Sequence, residues 1–167
     1  LLLCNGYIFL CGGESDSAKK TLKTAYLYDP IENFVLRASS MPSAKKNHSL
    51  IYYKGFVYCI GGLSAGGVAN NSCERFSFMT NTWEKLMTLN SGKSDVSLQI
   101  IDNFLYAIGG VANDGKLSNI VEIYDLVRNQ WRESCCKLPV ESPEKRSFFH
   151  TAQRKNSILL FSSDLIE

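Results

Sequence analysis

Histidine occurs only twice in the 167 residues, at His48 and His150, and no long apolar run occurs at all. Two imidazoles in one short chain do not supply a histidine-rich metal centre. A nucleophilic serine would need a G-x-S-x-G elbow, and none is present. A phosphate-cradling loop would need G-x-x-x-x-G-K-[ST], which is missing too. Charge of one sign is scarce: 18 basic residues against 16 acidic ones leave a net charge of +2. A nucleic-acid surface shows a marked basic excess, so none is expected. No stretch approaches the roughly 18 to 20 apolar residues of a membrane helix. The opening Leu1-Leu2-Leu3-Cys4 is interrupted by Asn5 and Gly6, and it lacks the flanks of a signal peptide. This start reads as a cut through a longer protein, in or near a strand.

Six cysteines stand at positions 4, 11, 59, 73, 135 and 136. No pair has metal-ligand spacing with a second pair downstream. Four lie in or beside apolar runs, where Cys behaves as a small hydrophobe. They are read as free thiols of a reducing compartment, which places the chain in the cytoplasm. The triplets Asn47-His48-Ser49 and Asn70-Asn71-Ser72 weaken that placement only slightly.

What the sequence does have is a repeat. Tyr7-Ile-Phe-Leu-Cys-Gly-Gly13, Phe56-Val-Tyr-Cys-Ile-Gly-Gly62 and Phe104-Leu-Tyr-Ala-Ile-Gly-Gly110 align at spacings of 49 and 48. Tyr28, Phe76 and Tyr124 keep a step of 48, and Phe34, Trp83 and Trp131 steps of 49 and 48. Met41, Leu89 and Leu138 follow at 48 and 49. The segments before the glycines are rich in β-branched and aromatic residues, and Val121-Glu122-Ile123-Tyr124-Asp125 alternates. Turn pairs such as Lys54-Gly55, Asp29-Pro30 and Asp102-Asn103 separate them. Four short strands per unit make a small antiparallel sheet with two apolar faces, stable only when stacked on copies of itself. Radial stacking of such sheets is a propeller. The recurring aromatics are read as fillers of the gaps between sheets.

A double glycine, a Tyr about 15 residues on, and a Trp six or seven residues later resembles the kelch repeat. Val121-Glu-Ile-Tyr-Asp125 with Trp131 is the closest copy, and Met41-Pro42 also fits. Departures are Phe34 for Trp, Phe76 for Tyr, and Ser162-Ser163 near where a fourth pair of glycines belongs. The expected fold is therefore all-β: a kelch-type β-propeller fragment of four-stranded antiparallel blades, with portions at about 1–41, 42–90, 91–139 and 140–167. Two complete blades between two partial ones are expected. The resemblance implies a protein-interaction module, for instance the substrate-recognition end of a ubiquitin-ligase adaptor. An actin-associated scaffold, or the non-catalytic part of a propeller enzyme, is the alternative.

No catalytic residue, cofactor or metal is expected, and the chain is read as not an enzyme. Glu74 and Glu122 could be drawn as a glycosidase carboxylate pair, but their equivalent places argue for a repeat feature. Blade geometry puts two sets of loops on one face. One set follows the glycine strands (14–24, 63–71, 111–119), and the other precedes the inner strands (42–47, 90–95, 139–147). Kelch adaptors often carry a basic residue in the second set, which by position gives Lys45, Lys93 and Lys145 or Arg146. A ring of such cations would suit an acidic peptide segment of a partner protein. His48, Asn70, Asn113 and Asp114 complete the candidate contact residues on that face. Neither nucleic acid nor membrane is expected as a partner.

Overall fold

Two-residue turns set the frame of each unit. Asn5-Gly6, Lys54-Gly55 and Asp102-Asn103 have positive φ at both positions. That backbone matches the twist of the strands it joins and closes a tight hairpin. The computed structural model describes residues 1–139, 149–155 and 157–162.

The chain opens with β1 (Leu2–Cys4) and β2 (Tyr7–Cys11), makes a small excursion through β3 (Glu14–Ser15) and β4 (Lys20–Thr21), and returns as β5 (Ala25–Asp29) and β6 (Phe34–Ala38). The second unit is β7 (Ser49–Tyr53), β8 (Phe56–Ile60), β9 (Cys73–Ser77) and β10 (Thr82–Lys85). The third is β11 (Ser97–Ile101), β12 (Phe104–Ile108), β13 (Ile120–Asp125) and β14 (Gln130–Lys137), and the hairpin β15 (Phe149–Arg154) and β16 (Ser157–Ser162) follows. The first three units are four-stranded antiparallel meanders, ordered β1-β2-β5-β6, β7-β8-β9-β10 and β11-β12-β13-β14. The first strands of successive units lie side by side, β1 by β7, β7 by β11 and β11 by β15. These are the blades of a β-propeller, arranged round an axis lined by their first strands.

The expected count is corrected in one respect: three sheets are four-stranded, not two. Leu2–Cys4 pairs with β2 through Leu2↔Phe9 and Cys4↔Tyr7 and so completes the first blade. The outer strand of the second blade is short. It ends at Lys85, and 86–89 form the link to the next blade.

Alternation sends successive side chains to opposite neighbours. Phe9 stacks on Phe76 with ring centroids 5.0 Å apart, and both pack with Val57, Leu50, Phe78 and Trp83 between the first two blades. Tyr58 and Ile60 leave the other side of β8 to meet Leu98, Leu105, Ala107 and Tyr124 of the third blade. Phe76, Trp83, Tyr124 and Trp131 thus fill the gaps expected of them. Phe34 does not, and is exposed. The far face of the first blade displays Leu3, Leu10, Tyr26 and Val35 to solvent.

Candidate functional site

The double glycines are explained by what crosses them. Gly13 N donates to Lys45 O at 2.9 Å, and Gly62 N to Lys93 O at 2.8 Å. A Cβ on Gly12 would lie 2.4 Å from Lys45 O, and one on Gly61 2.3 Å from Lys93 O. The end of each glycine strand is therefore pressed against the next blade's incoming loop, at a positive φ that also favours glycine.

That crossing buries the lysines. Lys45 and Lys93 are 0% and 1% exposed. The Lys45 ammonium meets Glu74 Oε2 at 3.0 Å and donates to Ser72 Oγ. The Lys93 ammonium donates to Glu122 Oε1 at 2.7 Å, while the other Glu122 oxygen accepts from Asn90 N at 2.9 Å. The expectation of an accessible cation ring is thus corrected at Lys45 and Lys93. A charge taken out of water must be paired, and a glutamate on the third strand of the same blade pairs each one. The two glutamates are the partners of these lysines and do not face each other as a carboxylate couple. Lys145 and Arg146 lie outside the described residues.

On the loop face itself, the two loop sets meet as expected. Lys46 bridges Leu63, and Ser94 bridges Val111, so each incoming loop is hydrogen-bonded to the loop beyond its own blade's glycines. Leu63↔Ala69 and Val111↔Leu117 fold those loops into tight reversals. Asn113 clasps one to the other: its Oδ1 accepts from Ala69 N at 2.6 Å, and its Nδ2 donates to Ala69 O at 3.3 Å. Asn47 and Asp95, equivalent residues with φ of 54° each, are joined by Asn47 Nδ2 to Asp95 Oδ2 at 3.3 Å. A cleft opens between these features, lined by Asn47, Leu63, Asp95, Val111, Ala112 and Asn113.

Of the other expected contact residues, Asp114 is exposed at the loop tip, accepting from Lys116 N at 3.0 Å. Asn70 is spent on its own turn, where Oδ1 accepts from Ser72 N and Ser72 Oγ. His48 does not face the cleft. Its ring lies under the glycines, 2.7 Å from a Cβ built on Gly12, with Nε2 3.4 Å from Cys11 Sγ. His150 falls inside β15 and so is not the counterpart of His48, which precedes β7.

All cysteines are unpaired thiols. Burial pushes the Cys73 thiol up to about 12 and Cys59 well above its ordinary range. Cys11 is lowered to about 6, first by a hydrogen bond from Cys59 and then by His48. Asn47, Asp95 and the Cys11–Cys59–His48 contact were not singled out as a set in the sequence. The one available signal was the break in the repeat, since Cys11, Cys59 and His48 stand where the next unit has Ile60, Ala107 and Val96.

The profile of the KLHDC2/KLHL20/DRC7 Kelch-repeats domain matches residues 1–163. Kelch-like protein 41a of Danio rerio is 28% identical over 80 residues, which are 48% of this chain and 13% of that protein. The solved structure of YjhT superposes with a TM-score of 0.70 at 15% identity, over 95% of this chain and 55% of that one. The chain therefore spans about half the length of YjhT and a small part of the zebrafish protein. Among the described residues no helix is long and apolar enough to cross a membrane.

Proposed function

The chain belongs to the kelch-repeat family, and from that premise we propose that it is a protein-interaction module. Its contact surface is the loop face, centred on the cleft between the second and third blades. One observation carries this reading. The loops of two adjacent blades are locked to each other through Asn113 and the loop bridges, yet leave Asn47, Asp95 and Asp114 at the rim. A preformed polar surface binds with little ordering cost, and function concentrates in such loops.

The charge at the rim selects the partner. Lys46 is paired with Glu14 at 2.8 Å and Lys116 with Asp114 at 3.6 Å, so neither is a bare cation. With Lys45 and Lys93 withdrawn into the blades, the cleft suits a polar segment of mixed charge better than an acidic one. In an adaptor of the kind the resemblance implies, that segment would belong to the ligase substrate.

The test is affinity capture from cell extract with the full chain, an Ala112→Arg variant that fills the cleft, and a Met79→Lys control. Met79 is exposed on the turn after β9, at the opposite end of the blade. A protein retained by the wild type and the control but lost with Ala112→Arg supports the cleft. Retention by all three moves the contact elsewhere on the blades.

A further inference from the structure

The repeat carries its own internal control. The gap between the second and third blades is closed by Ile60 from β8 and Ala107 from β12, with Val96 beside the Gly110 backbone. The gap between the first and second blades has the same geometry but different chemistry. Cys11 replaces the isoleucine, Cys59 the alanine and His48 the valine. Packing does not demand these residues, because the next gap is filled without them.

The three groups face one gap. Phe9 and Cys11 leave the same side of β2 toward the second blade, and Cys59, on the same side of β8 as Val57, faces back across that gap. His48 Nε2 stands 3.4 Å from Cys11 Sγ. His48 Nδ1 is buried and finds no hydrogen-bond partner among the described residues. A bare lone pair there costs less than a bare N–H, so the ring proton belongs on Nε2, aimed at the sulfur. Cys11 thus has the His48 donor beside it and the Cys59 thiol facing it across the gap, a setting that stabilises the thiolate. Cys59 sits across from Glu74 in the β8–β9 ladder and near the Lys45–Glu74 ion pair, in the fully buried part of the gap. Cys11 is partly exposed.

We propose that Cys11 and Cys59 are a redox-active dithiol, Cys11 the peroxide-reactive nucleophile held by His48 and Cys59 the resolving thiol, which closes to a disulfide linking the first two blades. The oxidant is a hydroperoxide. The Cys11 thiolate attacks its terminal oxygen, the O–O bond breaks, and the departing alkoxide takes a proton to leave as alcohol, or as water from hydrogen peroxide. Cys11 is then a sulfenic acid. Cys59 sulfur attacks the Cys11 sulfur, the S–O bond breaks, and hydroxide leaves with the Cys59 proton as water. Two thiols are oxidised to one disulfide and one hydroperoxide is reduced.

The full chain is treated with hydrogen peroxide at pH 7, digested without reductant and analysed by mass spectrometry. In parallel, iodoacetamide labelling of Cys11 is followed against pH. The expected results are a cystine joining the Cys11 and Cys59 peptides and a labelling midpoint near 6. The midpoint should rise in His48→Val, a substitution the third blade already tolerates at Val96. In Cys59→Ala, which copies Ala107, Cys11 should instead accumulate as a sulfenic acid that dimedone traps. An ordinary thiol midpoint of about 8.5 overturns the proposal. So does oxidation confined to the exposed Cys135 and Cys136.

Discussion

Lys93 and Glu122 meet at 2.7 Å with side chains 2% and 1% exposed. Two charges in that setting hold each other, and removing one leaves the other stranded in a low dielectric. Lys93→Met is therefore expected to destabilise the chain by about 3 to 5 kcal/mol, read as a shift of the urea midpoint. The double change Lys93→Met with Glu122→Leu should recover most of that loss, because an apolar pair has no charge to strand. A double variant no more stable than the single one would show that the lysine stem, not the ion pair, holds the crossing. The same residue scale explains a misreading. In sequence, Lys45 and Lys93 sit in polar loops among serines and glycines and look solvated. What buries them is the crossing with the preceding blade's glycine strand, and what pairs them is the third strand of their own blade, where no local pattern announces a glutamate some 29 residues downstream.

At the scale of the blade, the outer strand hooks onto the blade before it. Trp83 Nε1 donates to Ser39 O at 2.7 Å and Trp131 Nε1 to Met87 O at 2.8 Å. Asn81 Oδ1 accepts from Ser39 N and Asn129 Oδ1 from Met87 N, at 2.9 and 3.0 Å. Each outer hairpin thus holds the link between blades by both its carbonyl and its amide. Trp131→Phe, which removes the indole N–H while keeping an aromatic ring, should cost about 1 kcal/mol, the net worth of one hydrogen bond. Amide exchange in 86–89 should quicken in that variant, and an unchanged rate would show the tryptophan to be filler alone. The recurring Trp was legible as a repeat landmark. Its donor role was not, because the acceptor is a backbone carbonyl 44 residues away whose place depends on how blades stack.

Across the whole molecule, burial between blades gives stability a pH profile. Cys73 and Tyr124 are both raised to about 12, from ordinary values of 9.0 and 10.0, by burial. The unfolded chain would release those protons first, so their contribution is complete below pH 9 and is lost as pH rises toward 12. Cys11 acts in the opposite sense. Lowered from 9.0 to about 6, it adds stability that grows as pH rises from 6 to 9 and is lost as pH falls through 6. Thermal midpoints measured from pH 5.5 to 11 should rise and then fall, with the summit near 9. Cys11→Ser should flatten the rising limb and Cys73→Val soften the falling one. A profile that both variants leave unaltered would remove these thiols from the account.

The repeat of about 48 residues, the four strands in each unit and the kelch pattern are all written in local chemistry: alternation, paired glycines and turn residues. Those features act within a strand or across a tight turn, so sequence alone determined the blades and the face on which the long loops emerge. The depth of Lys45 and Lys93, the turning of His48 away from the cleft, and the meeting of Cys11 with Cys59 arise where one blade is laid on another. Contacts between residues 37 to 48 positions apart depend on the angle and register of that stacking, which only the tertiary structure decides.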